Sequence, residues 1–230
     1  MDNKMKKIIF SIVLAFIAVT SFAQVPYFAA TAGDGNLYGY TSLKTRPSTD
    51  NSMETYTTFQ YGLGDYTAVG TDIYTGPGSA YWGFLIRAGY KVNKYFGVGG
   101  QVTPSFDLHD NFKYSYTTAA LYMNGAITKD GNLFWCSNTW WGINKGSENS
   151  ITNWEYLGYA FGLKNGDYIT PMVGMSHDWK FKANPDMMAG FYYTRKCWNF
   201  YVWGSDFFSQ NAKPRVVVGV DFKLPTKSKK

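Results

Sequence analysis

The sequence predicts an all-β, transmembrane, up-and-down antiparallel barrel of about twelve strands, 36–224, behind a cleaved targeting segment. Three observations carry it. After residue 24 the chain alternates apolar and mixed side chains with period two. No run beyond the first 23 residues is apolar for long enough to form a membrane helix. Aromatic residues make up 19% of the chain beside 24 Gly, a composition suited to strands, tight turns and membrane interfaces rather than to helices.

The targeting segment spans 1–23. Lys4, Lys6 and Lys7 precede a nearly unbroken apolar stretch, Ile8 to Val19, and Ser21-Phe22-Ala23 supplies the small-x-small site, which places cleavage before Gln24. The competing reading, a membrane anchor, needs roughly 20 apolar residues and finds fewer. No Cys follows the site to accept a lipid. Removing 1–23 leaves 19 Lys+Arg against 15 Asp+Glu, and four of those lysines (Lys223, Lys227, Lys229, Lys230) lie in or beside the C-terminal tail, 225–230. The remainder is nearly neutral, and no basic stretch interleaved with stacking aromatics points to nucleic acid.

Residues 24–35 hold a short strand-like run, Tyr27–Thr31, that would make the strand number odd; they are expected to form a periplasmic lead-in or a segment folded into the barrel mouth. The expected strands then follow in order: 36–46, 54–63, 66–75, 79–91, 95–107, 112–127, 132–143, 151–163, 168–179, 186–194, 197–206 and 214–224. Most have the 9–12 residues that a tilted strand needs to cross a bilayer. The fourth is the clearest, with Trp82, Phe84, Ile86, Ala88 and Tyr90 on one face and Gly83, Leu85, Arg87, Gly89 and Lys91 on the other. Pro104 and Pro171 lack the ladder N–H and mark expected bulges or strand ends. Connections alternate between tight turns (Gly64-Asp65, Asn93-Lys94, Lys129–Gly131, Lys164–Asp167, Arg195-Lys196) and generally longer loops (Pro47–Met53, Asn144–Ser150, Lys180–Pro185, Phe207–Lys213). A soluble sandwich or lipocalin-like barrel also alternates, but buries its apolar face; here the second face mixes Tyr, Thr, Gln, Asn and Arg, which suits a wet lumen.

Two segments carry a resemblance. Ala88-Gly-Tyr-Lys-Val-Asn-Lys-Tyr-Phe-Gly-Val-Gly-Gly-Gln101 looks like the hairpin repeated in small Gram-negative outer-membrane, porin-like barrels. Arg215-Val-Val-Val-Gly-Val-Asp-Phe-Lys-Leu224 is similar to their C-terminal assembly signal, although this chain continues through Pro225 to Lys230. The resemblance implies residence in outer-membrane lipid, both termini in the periplasm and insertion by the barrel-assembly machinery.

Signals for an enzyme are thin. There are two histidines. His177 is expected to face outward, as in the outer-membrane phospholipase, a twelve-stranded barrel with Ser, His and Asn on its outer face. Its neighbours Ser176 and Asp178 point the other way and cannot complete a triad. His109 has no second His or Cys near it for a metal. Cys136 and Cys197 lie on strands four apart and are expected to be unpaired. No catalytic residue, metal or cofactor is therefore assigned. The inward face holds the expected solute-contacting residues: Lys44, Asp72, Arg87, Lys91, Gln101, Tyr122, Asn138, Tyr168, Tyr201 and Arg215, with Tyr66, Asn124 and Asp221 on the same parity. Together they predict a narrow channel for small polar solutes. The alternatives are a structural or surface-binding barrel with a lumen filled by aromatics, and more remotely a lipid hydrolase.

Overall fold

In the computed structural model the described residues are 29–50, 52–144, 146, 149–179, 185–207 and 213–226. The targeting segment, the first residues of the lead-in and the end of the basic tail lie outside them.

The strands are β1 (Asn36–Thr45), β2 (Glu54–Gly62), β3 (Thr67–Gly76), β4 (Ser79–Lys91), β5 (Gly97–Asp107), β6 (Lys113–Ala126), β7 (Leu133–Asn144), β8 (Ser150–Tyr159), β9 (Phe161–Gly162), β10 (Tyr168–Asp178), β11 (Asp186–Arg195), β12 (Trp198–Ser205) and β13 (Arg215–Pro225). Each pairs antiparallel with its chain neighbours, except that β8 and β9 both pair with β10 and not with each other, and β13 pairs with β1 over the full length of β1, from Asn36↔Pro225 to Thr45↔Val216. The sheet is closed, with no free edge. The two-residue β9 continues the line of β8, so the wall has twelve staves.

Both prolines break the ladder. Opposite Pro104, the β4–β5 pairing lapses between Gly83↔Ser105 and Ile86↔Val102, and the β5–β6 register shifts at Ser105/Phe106. Opposite Pro171, the pairing with β8 stops at Met172↔Gly158 and resumes with β9 at Ile169↔Phe161. The missing amide hydrogen is the reason the eighth stave is split.

The polarity of the wall is inverted relative to a soluble protein. The outer face carries exposed Phe84, Ile86, Val102, Leu157, Val173, Phe191 and Phe200, while Asp72, Arg87, Gln101, Asn138 and Asp221 are buried inside. An apolar belt of this extent is incompatible with water and matches hydrocarbon. Aromatic side chains gather at both ends of the belt. At the end bearing the tight turns, Tyr66 meets Tyr90, Phe96 meets Trp135, Tyr159 meets Phe161 and Trp198 meets Phe222. At the opposite end Trp82, Phe106 and Tyr114 form a second group. Two such groups are what interfacial Tyr and Trp produce at the two faces of a bilayer. At that opposite end one connection, Pro77-Gly78 between β3 and β4, is as tight as any turn, so the loop asymmetry rests on the others.

Residues 29–35 do not extend the sheet. Gly33 and Gly35, both at positive φ, turn the chain back into the barrel at the turn end, where Gly35 N donates to Gly62 O and Thr226 N to Gly35 O. Ala29, Thr31 and Ala32 are buried inside the mouth.

Candidate functional site

The interior has two unlike walls. On β2–β6 it is a hydrogen-bonded polar belt. Asp72 accepts from the Tyr56 hydroxyl (2.7 Å) and the Thr58 hydroxyl (2.6 Å). The Arg87 guanidinium lies 4.2 Å from the centroid of the Tyr122 ring, a cation–π contact strengthened by exclusion of water. Tyr122 donates to Gln101 Oε1, and Gln101 Nε2 donates to Thr103. Period two on each strand and the antiparallel register deliver these side chains to one patch: Arg87 pairs with Gln101 across β4–β5, and Gln101 with Ala120 across β5–β6.

On β7–β13 the interior is mainly aromatic and thioether: Phe134, Cys136, Tyr156, Met172, Met188, Tyr192, Tyr201 and Trp203 form one buried cluster. Trp203 donates through Nε1 to the Tyr192 hydroxyl at 3.0 Å, and its ring meets Tyr156 edge-on. Both rings thereby bury their area with a polar tip satisfied. Buried Asn199 donates to buried Asp221.

Burial also changes with depth. In the turn-end half Tyr122 and Tyr192 are each 1% exposed and Asn138 and Asp221 0%, and on β11–β12 burial continues toward the loop end through Met188 and Trp203. Toward the loop end Tyr40, Lys44, Tyr56, Tyr74, Tyr81, Tyr116 and Arg215 are half-buried. There Lys44 sits 5.8 Å over the Tyr56 ring, Tyr74 stacks on Tyr81, and Tyr81 meets Tyr116 edge-on. The interior is a tyrosine-lined cup above a packed floor. The Arg46–Asp206 ion pair (2.6 Å) ties the rim between the β1 and β12 ends.

Of the residues expected on the inward face, Asp72, Arg87, Gln101, Tyr122, Asn138, Tyr201 and Asp221 are buried in the floor and its walls, and Lys44 and Arg215 belong to the cup. Tyr168 is half-buried at the turn end of β10, on the same parity as buried Thr170 and Met172. Lys91 shares the parity of Arg87 but is the last residue of β4 and is exposed at the mouth. Tyr66 departs from its expected place: it precedes β3 and packs on the outward Tyr90, 56% exposed, because the strand pleat begins only at Thr67. Asn124 accepts from the Ala29 backbone N–H at 2.9 Å.

His177 takes part in a polar patch on the outer face. Register places Thr139 opposite Asn153 and Asn153 opposite His177. Thr139 donates to Asn153 (2.5 Å), Asn153 Nδ2 donates to Glu155 (3.0 Å), and His177 Nε2 is 3.9 Å from Glu155. The other ring nitrogen faces the Asp178 carbonyl at 3.2 Å. Nδ1 thus faces a backbone carbonyl and Nε2 a carboxylate. Neighbour parity alone could not reveal this patch, because it is assembled across three staves. His109 lies in the β5–β6 connection, its backbone N–H donating to Asp107. Among the described residues no group of three His, Cys, Asp or Glu is placed to hold a metal. Cys136 and Cys197 are both free thiols.

In the β6–β7 turn, Asp130 accepts from the Thr128 hydroxyl and the Asn132 backbone N–H. These bonds hold its carboxyl below the usual value, the Thr128 bond most strongly.

No known family's sequence profile matches the chain, and no curated protein matches it. Among solved structures it is similar to a KdgM porin in complex with disordered oligogalacturonate, at 11% identity and TM-score 0.58, over 81% of this chain and 98% of that one. A second KdgM porin structure gives 12% and 0.57 over the same shares. A NanC porin gives 10% and 0.55 over 82% of this chain and 100% of that one. At these identities the likeness is one of fold: the chain has the architecture of a small outer-membrane porin barrel.

Proposed function

We propose that the protein is an integral outer-membrane barrel that conducts small polar solutes along a narrow path, with its tight turns and both termini in the periplasm. The observation that carries this reading is the polar belt of Asp72, Arg87, Gln101 and Tyr122 inside a wall whose outer face is apolar. Charges and amides are retained in an interior only where water or a solute is to meet them, or where they brace one another; a belt running between a cup and a mouth serves the first purpose. Tyr40, Tyr56, Tyr74, Tyr81 and Tyr116 give the cup flat faces, and Lys44 and Arg215 stand there beside Glu54 and Asp186 as charges of both signs. That chemistry fits hydroxyl-rich rings, in line with the oligogalacturonate in complex with one of the similar porins. Outer-membrane lipid and the barrel-assembly machinery are the further partners of this reading; neither a cofactor nor catalysis enters it.

The test is planar-bilayer conductance of the purified protein. The channel reading expects step currents, with an ion preference that shifts in Arg87→Ala because the substitution removes the buried cation. One observation favours a second reading, a structural barrel without a path: the near-complete burial of Tyr122, Tyr192 and Asp221. Absence of current beyond leak in wild type and Arg87→Ala alike would decide for it.

A further inference from the structure

The segment 29–35 is seated in the wall by an unusual device. A Cβ built on Gly89 would lie 1.8 Å from the Ala29 carbonyl oxygen, and one on Gly99 2.5 Å from the same atom. A Cβ on Gly62 would lie 1.8 Å from the Gly33 carbonyl oxygen. Those three glycines sit on β2, β4 and β5, at inward positions near the turn end. Any other residue would push the segment off the wall, so the sequence clears a track for backbone against backbone. Polar anchors line it: the Ala29 N–H bonds Asn124, and the Thr31 hydroxyl bonds the Asp65 carbonyl at 3.2 Å. At its far end Ala29 packs on Ala120 and Tyr122, the ring that carries Arg87. From Gly35 at the start of β1 to Asn124 on β6, the segment follows half of the circumference.

We propose that residues 29–35 are a strap that narrows the turn-end mouth and sets the conductance of the barrel, held in a glycine track from which it can be displaced. The inference rests on the channel reading. The strap lines the wall under the polar belt with one extra thickness of backbone, and a strand occupies about 5 Å of width, a large share of the bore of a twelve-stranded barrel once side chains are in place. It bonds to the wall through a few hydrogen bonds rather than a ladder, so it can leave without breaking the sheet.

The experiment compares single-channel conductance of the mature protein, a variant lacking residues 24–32, and Gly89→Ala, whose methyl group collides with the strap without filling the lumen. Gly100→Ala, whose added carbon meets its nearest atom only at 3.4 Å, serves as control. Folding of each form is checked by its heat-modifiable mobility on gels. The proposal expects conductance to rise about two-fold or more in both the deletion and Gly89→Ala, and to be unchanged in Gly100→Ala. Wild-type conductance in the folded deletion variant overturns the strap and leaves the channel standing. Absence of current in every folded form overturns the channel reading and the strap's role with it.

Discussion

The loop-end and turn-end halves of the lumen are built from the same staves with the same alternation, yet their tyrosines differ in burial and in the groups they meet. At the loop end Tyr74, Tyr81 and Tyr116 contact one another ring to ring, and stay half-exposed. At the turn end Tyr122 and Tyr192 are sealed, one under a guanidinium and the other under an indole. The difference lies in what each ring meets on the neighbouring staves: the rim tyrosines meet one another, whereas Tyr122 meets a cation and Tyr192 an indole N–H. On the proposed channel reading the cup is suited to capture and the floor to selection.

The comparison can be broken most forcefully through stability. Trp203 anchors the aromatic wall of β7–β13, so Trp203→Ala should cost about 3–5 kcal/mol through lost packing and the cavity left behind. Asp72→Ala removes the acceptor of Tyr56 and Thr58 and should cost about 3 kcal/mol, at roughly 1.5 per charge-assisted hydrogen bond. Tyr74→Ala in the cup loses one exposed stacking contact and should cost about 1 kcal/mol. Urea unfolding midpoints in lipid vesicles rank the three; equal costs would erase the distinction between cup and floor.

A smaller effect concerns the turns that hold the floor's rim. The Asp130 carboxyl is bound in the folded protein more readily ionised than in the unfolded chain. Its contribution is therefore fully present above the usual carboxylate value and is lost as pH falls through the depressed folded value. Asp130→Asn should lower the unfolding midpoint slightly at pH 7, and the two proteins should converge as the pH falls through the depressed folded value of Asp130. A gap between them that stays constant through that value would remove the carboxylate from the account.

Much of this was legible in the residues. Period-two alternation placed the twelve staves to within a residue or two at most ends, and parity sent Asp72, Arg87, Gln101 and Tyr122 inward, because in a strand face is decided by counting. Pro104 and Pro171 announced the two ladder breaks through a missing N–H. What stayed hidden depends on which residues meet across strands far apart in sequence. Nothing local says that Arg87 lies on Tyr122, that Trp203 reaches Tyr192, or that Thr139, Asn153, Glu155 and His177 converge on the outer face. Tyr66 was sent inward by counting through a residue that precedes its strand. The strap left one readable trace, the glycines at inward positions near the turn ends of β2, β4 and β5, which mean little until the backbone that fills the space is seen.

On the proposed channel reading the floor, and not the cup, limits passage. Single-channel conductance of Tyr122→Ala set against Tyr74→Ala tests it most directly. The account predicts a rise of several-fold for Tyr122→Ala, with Tyr74→Ala close to wild type; equal conductance in the two folded variants, or a larger rise for Tyr74→Ala, would contradict it.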